Sequence, residues 1–169
     1  MIQIVPAQAI DLLEIDVMLD LGFGPARRNR TAYRLRDGLV PDPGLSFVAR
    51  DADDLIGSVQ CWPLQLRDAA AQLLPLILLG PVVTAQDRQG QGIATRLVNA
   101  ALATIDARDA LPVLLIGDAP FYGRFGFSAA ATGRWVLPGP VDRDRLLLRG
   151  GAELPGDGWI EARGVRRAA

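Results

Sequence analysis

The sequence predicts an α/β (α+β) fold, a mixed central sheet with splayed parallel strands flanked by helices. Three observations predict it. Leu76-Ile77-Leu78-Leu79 and Val82-Val83 make an apolar run of the kind found in a strand buried on both faces. A glycine-bearing turn then leads into an amphipathic helix and a second apolar run, Val113 to Ile116, which is the strand–helix–strand unit of a right-handed parallel pair. Upstream, two runs on either side of Asp51-Ala52-Asp53-Asp54 read as an antiparallel hairpin, so the sheet must be mixed.

Taken in order, Ile2 to Val5 reads as a first strand. Ile10, Leu13, Val17 and Leu21 repeat at helical spacing between Ala7 and Leu21, with Gly22 as the stop. Pro25 opens a second, basic helix that runs to about Arg36. Its arginines are read as a solvated face, or as flanking an acceptor entrance or attracting an anionic group. Asp37 to Gly44 is loop by composition. Ser46 to Arg50 and Leu55 to Trp62 form the hairpin, closed by Pro63, and Leu64 to Leu73 is ambiguous around an Arg67-Asp68 turn. Gly80-Pro81 interrupts the central strand; a residue without an N–H beside one without a side chain predicts that the strand leaves its neighbour there.

The helix after the glycines is the clearest. Ile93, Leu97, Ala100, Ala101, Thr104 and Ile105 line one face, and Arg96, Asn99, Asp106 and Arg108 lie largely off it. After Val113 to Ile116 comes a short helix holding Phe121, Tyr122 and Arg124. Ser128 to Leu137 and Arg145 to Arg149 are read as late antiparallel strands around Pro138-Gly139-Pro140. One domain is expected over 1–169, with 154–169 a mobile tail.

Composition removes several chemistries. The chain of 169 residues is half hydrophobic, enough for a sizeable core, and its net charge of -1 implies neither nucleic acid nor an acidic membrane as partner. All 18 basic residues are arginine; with no histidine and no lysine there is no imidazole base, no histidine metal ligand and no Schiff base. No metal site is expected. Cys61 is alone in an apolar strand and reads as a core residue rather than a nucleophile. No run reaches membrane-spanning length and the N-terminus lacks a leader pattern, so a cytoplasmic protein is expected.

Gln89-Gly90-Gln91-Gly92-Ile93-Ala94, between strand and helix, leaves backbone amides free at a helix N-terminus, where the dipole favours an anion. Gln89-x-x-Gly92-x-Ala94 resembles the Q/R-x-x-G-x-G/A signature of the GNAT family, the GCN5-related N-acetyltransferases. Pro120-Phe121-Tyr122-Gly123-Arg124-Phe125-Gly126-Phe127 is similar to that family's Y-x-x-x-G-F segment. The likeness is strongest over Leu76 to Phe127.

The resemblance implies the GNAT fold and an acetyl-CoA-dependent N-acetyltransferase acting by direct attack of a primary amine on the thioester, without a metal. It places the pyrophosphate of coenzyme A over Gln89, Gly90, Gln91, Gly92, Ile93, Ala94 and Thr95. It gives Val82 and Val83 main-chain contacts to the pantetheine arm, which adds to a strand edge as an extra strand would. Tyr122 matches the tyrosine that protonates the departing thiolate, against the reading that it only packs beside Phe121 and Phe125. The glutamate that many relatives carry on the central strand has no counterpart between Leu73 and Thr84. Asp118 is the motif-linked candidate base, or a helix cap. Arg124 reaches a coenzyme A phosphate or braces Asp118.

Size favours a small molecule or an exposed peptide or protein amine as acceptor, and exposed C-terminal strands are compatible with a homodimer. A non-catalytic acyl-CoA-binding or sensor module of the same fold is the alternative. A nucleotide-binding protein is disfavoured because Thr95 stands where a third glycine belongs and no Gly-Lys-Ser/Thr follows.

Overall fold

Helix α3 (Ile93–Arg108) forms because six apolar side chains recur on one side of it, and Ile93, Leu97, Val98, Ala101, Leu102 and Ile105 are buried. The stripe is rotated from the expected one. Ala100 and Thr104 are only half-buried, and the larger Val98 and Leu102, which have more apolar area to remove from water, take the inward positions. The Thr104 hydroxyl donates to the Ala100 carbonyl at 2.9 Å, and Arg108 closes the last turn with an ion pair to Asp42 at 3.1 Å.

The computed structural model describes residues 1–164. The strands are β1 (Ile2–Pro6), β2 (Phe47–Asp51), β3 (Asp54–Arg67), β4 (Leu73–Thr84), β5 (Val113–Ile116), β6 (Arg134–Val136), β7 (Leu146–Arg149) and β8 (Asp157–Ala162). The other helices are α1 (Leu12–Phe23), α2 (Thr31–Leu35) and α4 (Ala119–Tyr122). Strand order is β1-β2-β3-β4-β5-β7, with β8 pairing both β3 and β6. The chain divides into two compact units, 1–28, 41–61 and 79–110 in the first and 29–40, 62–78 and 111–169 in the second, so β3 and β4 each contribute to both.

In the first unit β1 pairs antiparallel with β2 from Ile2↔Asp51 to Pro6↔Phe47, and β2 pairs antiparallel with β3 from Phe47↔Val59, with a register shift at Ala49/Arg50. Helix α3 packs on β1 and β2. Gly57 of β3 lies under α3; a Cβ there would stand 3.0 Å from Ile93 Cγ2, 3.1 Å from Leu97 Cδ1 and 3.1 Å from the Val83 carbonyl oxygen. A second contact set joins α1 to the strands through Ile15, Leu19, Val48, Leu55 and Val83.

In the second unit the core is built on Leu35, Leu64, Leu66, Leu76, Leu114, Trp135 and Leu146, and the indole of Trp135 donates to the Pro155 carbonyl at 2.9 Å. The parallel ladder between β4 and β5 comprises Ile77↔Val113 and Leu78↔Leu114 and stops there; Leu115 and Ile116 are carried by β7 through Leu147 and Leu146. Among the described residues no helix is long and apolar enough to cross a membrane.

Several sequence expectations are corrected. The stripe assigned to the core face of α1 points outward: Ile10, Leu13, Val17 and Leu21 are 83%, 82%, 61% and 71% exposed, whereas Ile15 and Leu19 are 1% and 2%. Helix α1 is apolar on more than one side, so periodicity alone does not choose between its faces. It also runs to Phe23, with Gly24 rather than Gly22 as the terminating glycine.

The basic segment is a 3-10 turn (Pro25–Asn29) followed by the short α2, not one helix. Arg27 is buried, bonded to Asp16 and, at 2.8 Å, to Asp20, whose carboxyl its hydrogen bond holds below the usual range. Buried Arg36 stacks over Tyr33 and Trp62, at 3.7 and 4.6 Å from the ring centroids. These two arginines are therefore braces, not a solvated face.

Pro63 does not close β3, which continues to Arg67 because Leu64 to Arg67 find a partner strand in β8 (Leu64↔Ala162 to Arg67↔Trp159). The expected tail thus contains an ordered strand; only its last residues, 165–169 with Arg166 and Arg167, lie outside the described ones. The expected strand from Ser128 to Leu137 shrinks to β6, which runs parallel to β8. Cys61 is buried as expected, its N–H donating to Ser46 Oγ at 3.0 Å, and burial pushes its thiol pKa up.

Replacing Gly57 by valine should overpack the α3 contact and destabilise the protein by about 1–3 kcal/mol. Urea unfolding monitored by circular dichroism reads this as a lower midpoint at unchanged slope.

Candidate functional site

The turn entering α3 is held from both sides. Ala85 N–H donates to the Ile56 carbonyl at 2.9 Å, and Arg88, which ends a 3-10 turn (Gln86–Arg88), reaches Asp51 Oδ2 with Nη1 at 3.0 Å. The two contacts fix the ends of the 3-10 turn that precedes Gln89, and neither Arg88 nor Asp51 carries a motif that marks it from sequence.

Gly90 and Gly92 follow with φ of +78° and +74°, and no heavy atom lies within 4 Å of where either Cβ would be. Backbone conformation, not crowding, therefore demands glycine at these two positions, since left-handed φ costs other L-residues roughly 1–2 kcal/mol. Gly92 is the N-cap of α3 and no side chain caps that end. The first-turn amides of Ile93, Ala94 and Thr95 have no helical acceptor behind them. With the dipole of a 16-residue helix and open space over both glycines, the turn fits a phosphate group. Gln89, Gly90, Gln91 and Gly92 are exposed on it, Ile93 is buried below, and Ala94 and Thr95 are half-buried.

Val82 and Val83 stand in the last turn of strand before this loop. The Val83 side chain is committed to the core with Ile15 and Leu19, and Val82 is half-buried. What this stretch offers a ligand is main chain. The Gly80–Pro81 peptide just upstream is cis. The same unit also contains a cavity of about 430 Å³ beside this stretch, lined by α1 and residues 84–87, which no sequence motif marks.

The second unit holds Asp118, Tyr122 and Arg124. Asp118 has the extended backbone of an N-cap, φ −84° and ψ 112°, and its Oδ2 accepts from Phe121 N–H at 3.3 Å. The capping alternative is thus realised in the structure, and the carboxylate remains exposed. Arg124 stacks over Phe121, 4.7 Å from the ring centroid, and forms no ion pair with Asp118.

Tyr122 lies edge-on to Phe121 at 4.8 Å and to Phe127 at 6.0 Å between ring centroids. Its seat is Gly117, just after β5: a Cβ there would fall 2.6 Å from Tyr122 Cε2 and 2.9 Å from Cδ2. Sequence reading missed this pairing, although the five-residue spacing from a strand-end glycine to the motif tyrosine was visible. The phenolic hydroxyl has no hydrogen-bond partner among the described residues, while burial pushes the phenol from 10.0 up to about 12, outweighing Arg145, which pulls it down. The group is therefore fully protonated at neutral pH and has a proton to give.

The chain is similar to known proteins of one family. The family description "Acetyltransferase (GNAT) domain" matches residues 4–130. The chain is 31% identical over 124 residues to the N-acetyltransferase YhbS of Escherichia coli strain K12, covering 72% of this chain and 71% of that protein. The solved structure of YhbS from Escherichia coli in complex with CoA matches with a TM-score of 0.72 at 25% identity, over 96% of this chain and 89% of that one. A GNAT family acetyltransferase from Brucella melitensis in complex with acetyl-CoA shares the fold, with a TM-score of 0.69 at 23% identity over 97% of each chain.

The phenol titration can be checked directly. The phenolate absorbance of the native protein should contain a step near pH 12 that Tyr122→Phe removes. Because the folded-state value is raised, the stability this group adds is complete below 10.0 and is lost as pH rises towards about 12. Gly117→Ala, which displaces the ring, should move the step down towards the ordinary value.

Proposed function

Since the chain belongs to the GNAT family of N-acetyltransferases, we propose that it transfers an acetyl group from acetyl-CoA to a primary amine by direct attack on the thioester. The observation that carries this is the uncapped N-terminus of α3 behind Gly90 and Gly92, a cradle for the pyrophosphate of the cosubstrate. Gln89 to Thr95 donate main-chain N–H groups to phosphate oxygens, and Val82 and Val83 pair with the amide-bearing arm as an added strand does. Acetyl-CoA, when bound, supplies the activated acetyl thioester. Support for it as cosubstrate comes from the CoA and acetyl-CoA complexes of the two similar structures.

Holding donor and amine together removes about 7–11 kcal/mol of the barrier before any side chain takes part. The amine nitrogen bonds to the carbonyl carbon, the C–S bond breaks, and Tyr122 gives its proton to the departing sulfur. A phenol near 12 is a weak acid, but it still holds its proton at about pH 10, where an alkyl ammonium ion loses its own and becomes a nucleophile. Asp118, exposed and tied only to one N–H, takes the proton lost by the amine, directly or through water. Arg124, exposed beside this segment, pairs with a phosphate of the cosubstrate.

Tyr122→Phe should lower kcat about 10²–10⁴-fold, the usual worth of a positioned general acid. The Kd for acetyl-CoA should not change. Gly92→Val should do the reverse, weakening acetyl-CoA binding, because valine resists the φ of +74° that aims the amides. Thiol release from acetyl-CoA across a panel of amines, with binding measured by calorimetry, reads both. Retention of acetyl-CoA without thiol release from any amine would replace this reading by a non-catalytic binding module, and failure to bind acetyl-CoA would end it.

A further inference from the structure

The cavity of about 430 Å³ in the first unit lies against the outward stripe of α1. Its size is within the roughly 300–1,000 Å³ of small-ligand pockets. Val17, Met18 and Leu21 make an apolar wall on one side, and Thr84 lies on the other. Val17 and Leu21 are solvent-exposed to an extent that costs the fold and returns nothing to its core, which needs an explanation outside folding.

The polar groups around the wall have one sign. Glu14 and Asp87 line the cavity and no arginine does. Asp87 has Arg88 Nε at 3.7 Å, but the Glu14 carboxylate has no ion pair or hydrogen bond among the described residues. Thr84 Oγ1 is buried and closed to the cavity, so the Glu14 carboxylate is the polar group on this wall that is open to a ligand. An apolar surface edged by an unpaired carboxylate is complementary to a cation on a greasy body, and it repels carboxylates.

We propose that this cavity is the acceptor subsite, and that it takes an alkyl or arylalkyl primary amine. The hydrocarbon lies on Val17, Met18 and Leu21, and the ammonium faces Glu14. The assignment of the site to the acceptor rests on the acetyl-transfer reading. Thr84 directly follows Val83 on β4, so the subsite and the residues proposed for the pantetheine arm share one strand.

Calorimetric titration of the full chain with hexylamine and with 1-hexanol tests it. Hexylamine should bind about tenfold more tightly than the isosteric alcohol, the scale of a charge-assisted contact at a partly exposed site. Glu14→Gln should erase that preference, and Leu21→Ser should weaken both ligands. Both positions are exposed, so neither variant threatens folding, and a thermal melt confirms it. Equal binding of amine and alcohol, no binding of hexylamine, or wild-type binding by Glu14→Gln would overturn the subsite. The two readings fail separately. Turnover of amines with a KM that Glu14→Gln leaves unchanged removes the subsite and keeps acetyl transfer. Glu14-dependent binding of hexylamine without thiol release from acetyl-CoA removes acetyl transfer, and with it the assignment of the pocket to an acceptor.

Discussion

Helix α3 rests on β3 at the one position where the strand has no side chain. Gly57 lets Ile93 and Leu97 approach to distances that a methyl group would already crowd. Ile93 is also the first residue of the helix, so the contact that seats the helix on the sheet sets where its unpaired amides lie. Burying two such side chains contributes about 1.5–3 kcal/mol each, more than the roughly 1 kcal/mol at stake in the backbone of a capping glycine. Apolar packing therefore holds a polar end in place, and Arg88 on Asp51 fixes the turn that precedes it.

The second unit solves a related problem with aromatic rings. A short helix of four residues has little stability of its own. It is kept by an Asp118 cap at one end and by Tyr122 on the bare backbone of Gly117 at the other, with Phe121, Phe125 and Phe127 around the ring. The same burial that holds the ring raises its phenol pKa, so position and protonation state have one cause.

The central strand, the parallel unit and the Gly90–Gly92 turn were legible in the sequence because each rests on a local signal: an apolar run, a helical repeat, two spaced glycines between strand and helix. The face of α1 was not, since Ile15 with Leu19 and Ile10 with Leu13, Val17 and Leu21 are both spaced for a helix, and only the strands beneath decide between them. Strand β8 was hidden for the opposite reason. Gly156, Gly158 and the charged Asp157 and Glu161 look like a tail until β3 and β6 supply partners on both sides. Arg27 and Arg36 were misread because charge says nothing of burial when the partners, Asp16 and Asp20 or Tyr33 and Trp62, are brought by the fold. The cavity beside α1 had no motif at all, being made from the side of a helix that pattern reading assigned to the core.

Every cationic brace described above, from Arg27 after α1 to Arg88 in the turn before α3 and Arg108 at the end of α3, is a guanidinium, in a chain without a single lysine. A guanidinium keeps its proton across the whole accessible pH range and is a poor nucleophile. Apart from the Met1 amine, which pairs with Asp51 at 3.1 Å, a scaffold of this composition offers a reactive thioester no amine: it has no ε-amino group, and its arginine ion pairs cannot be eroded by acylation as the protein ages.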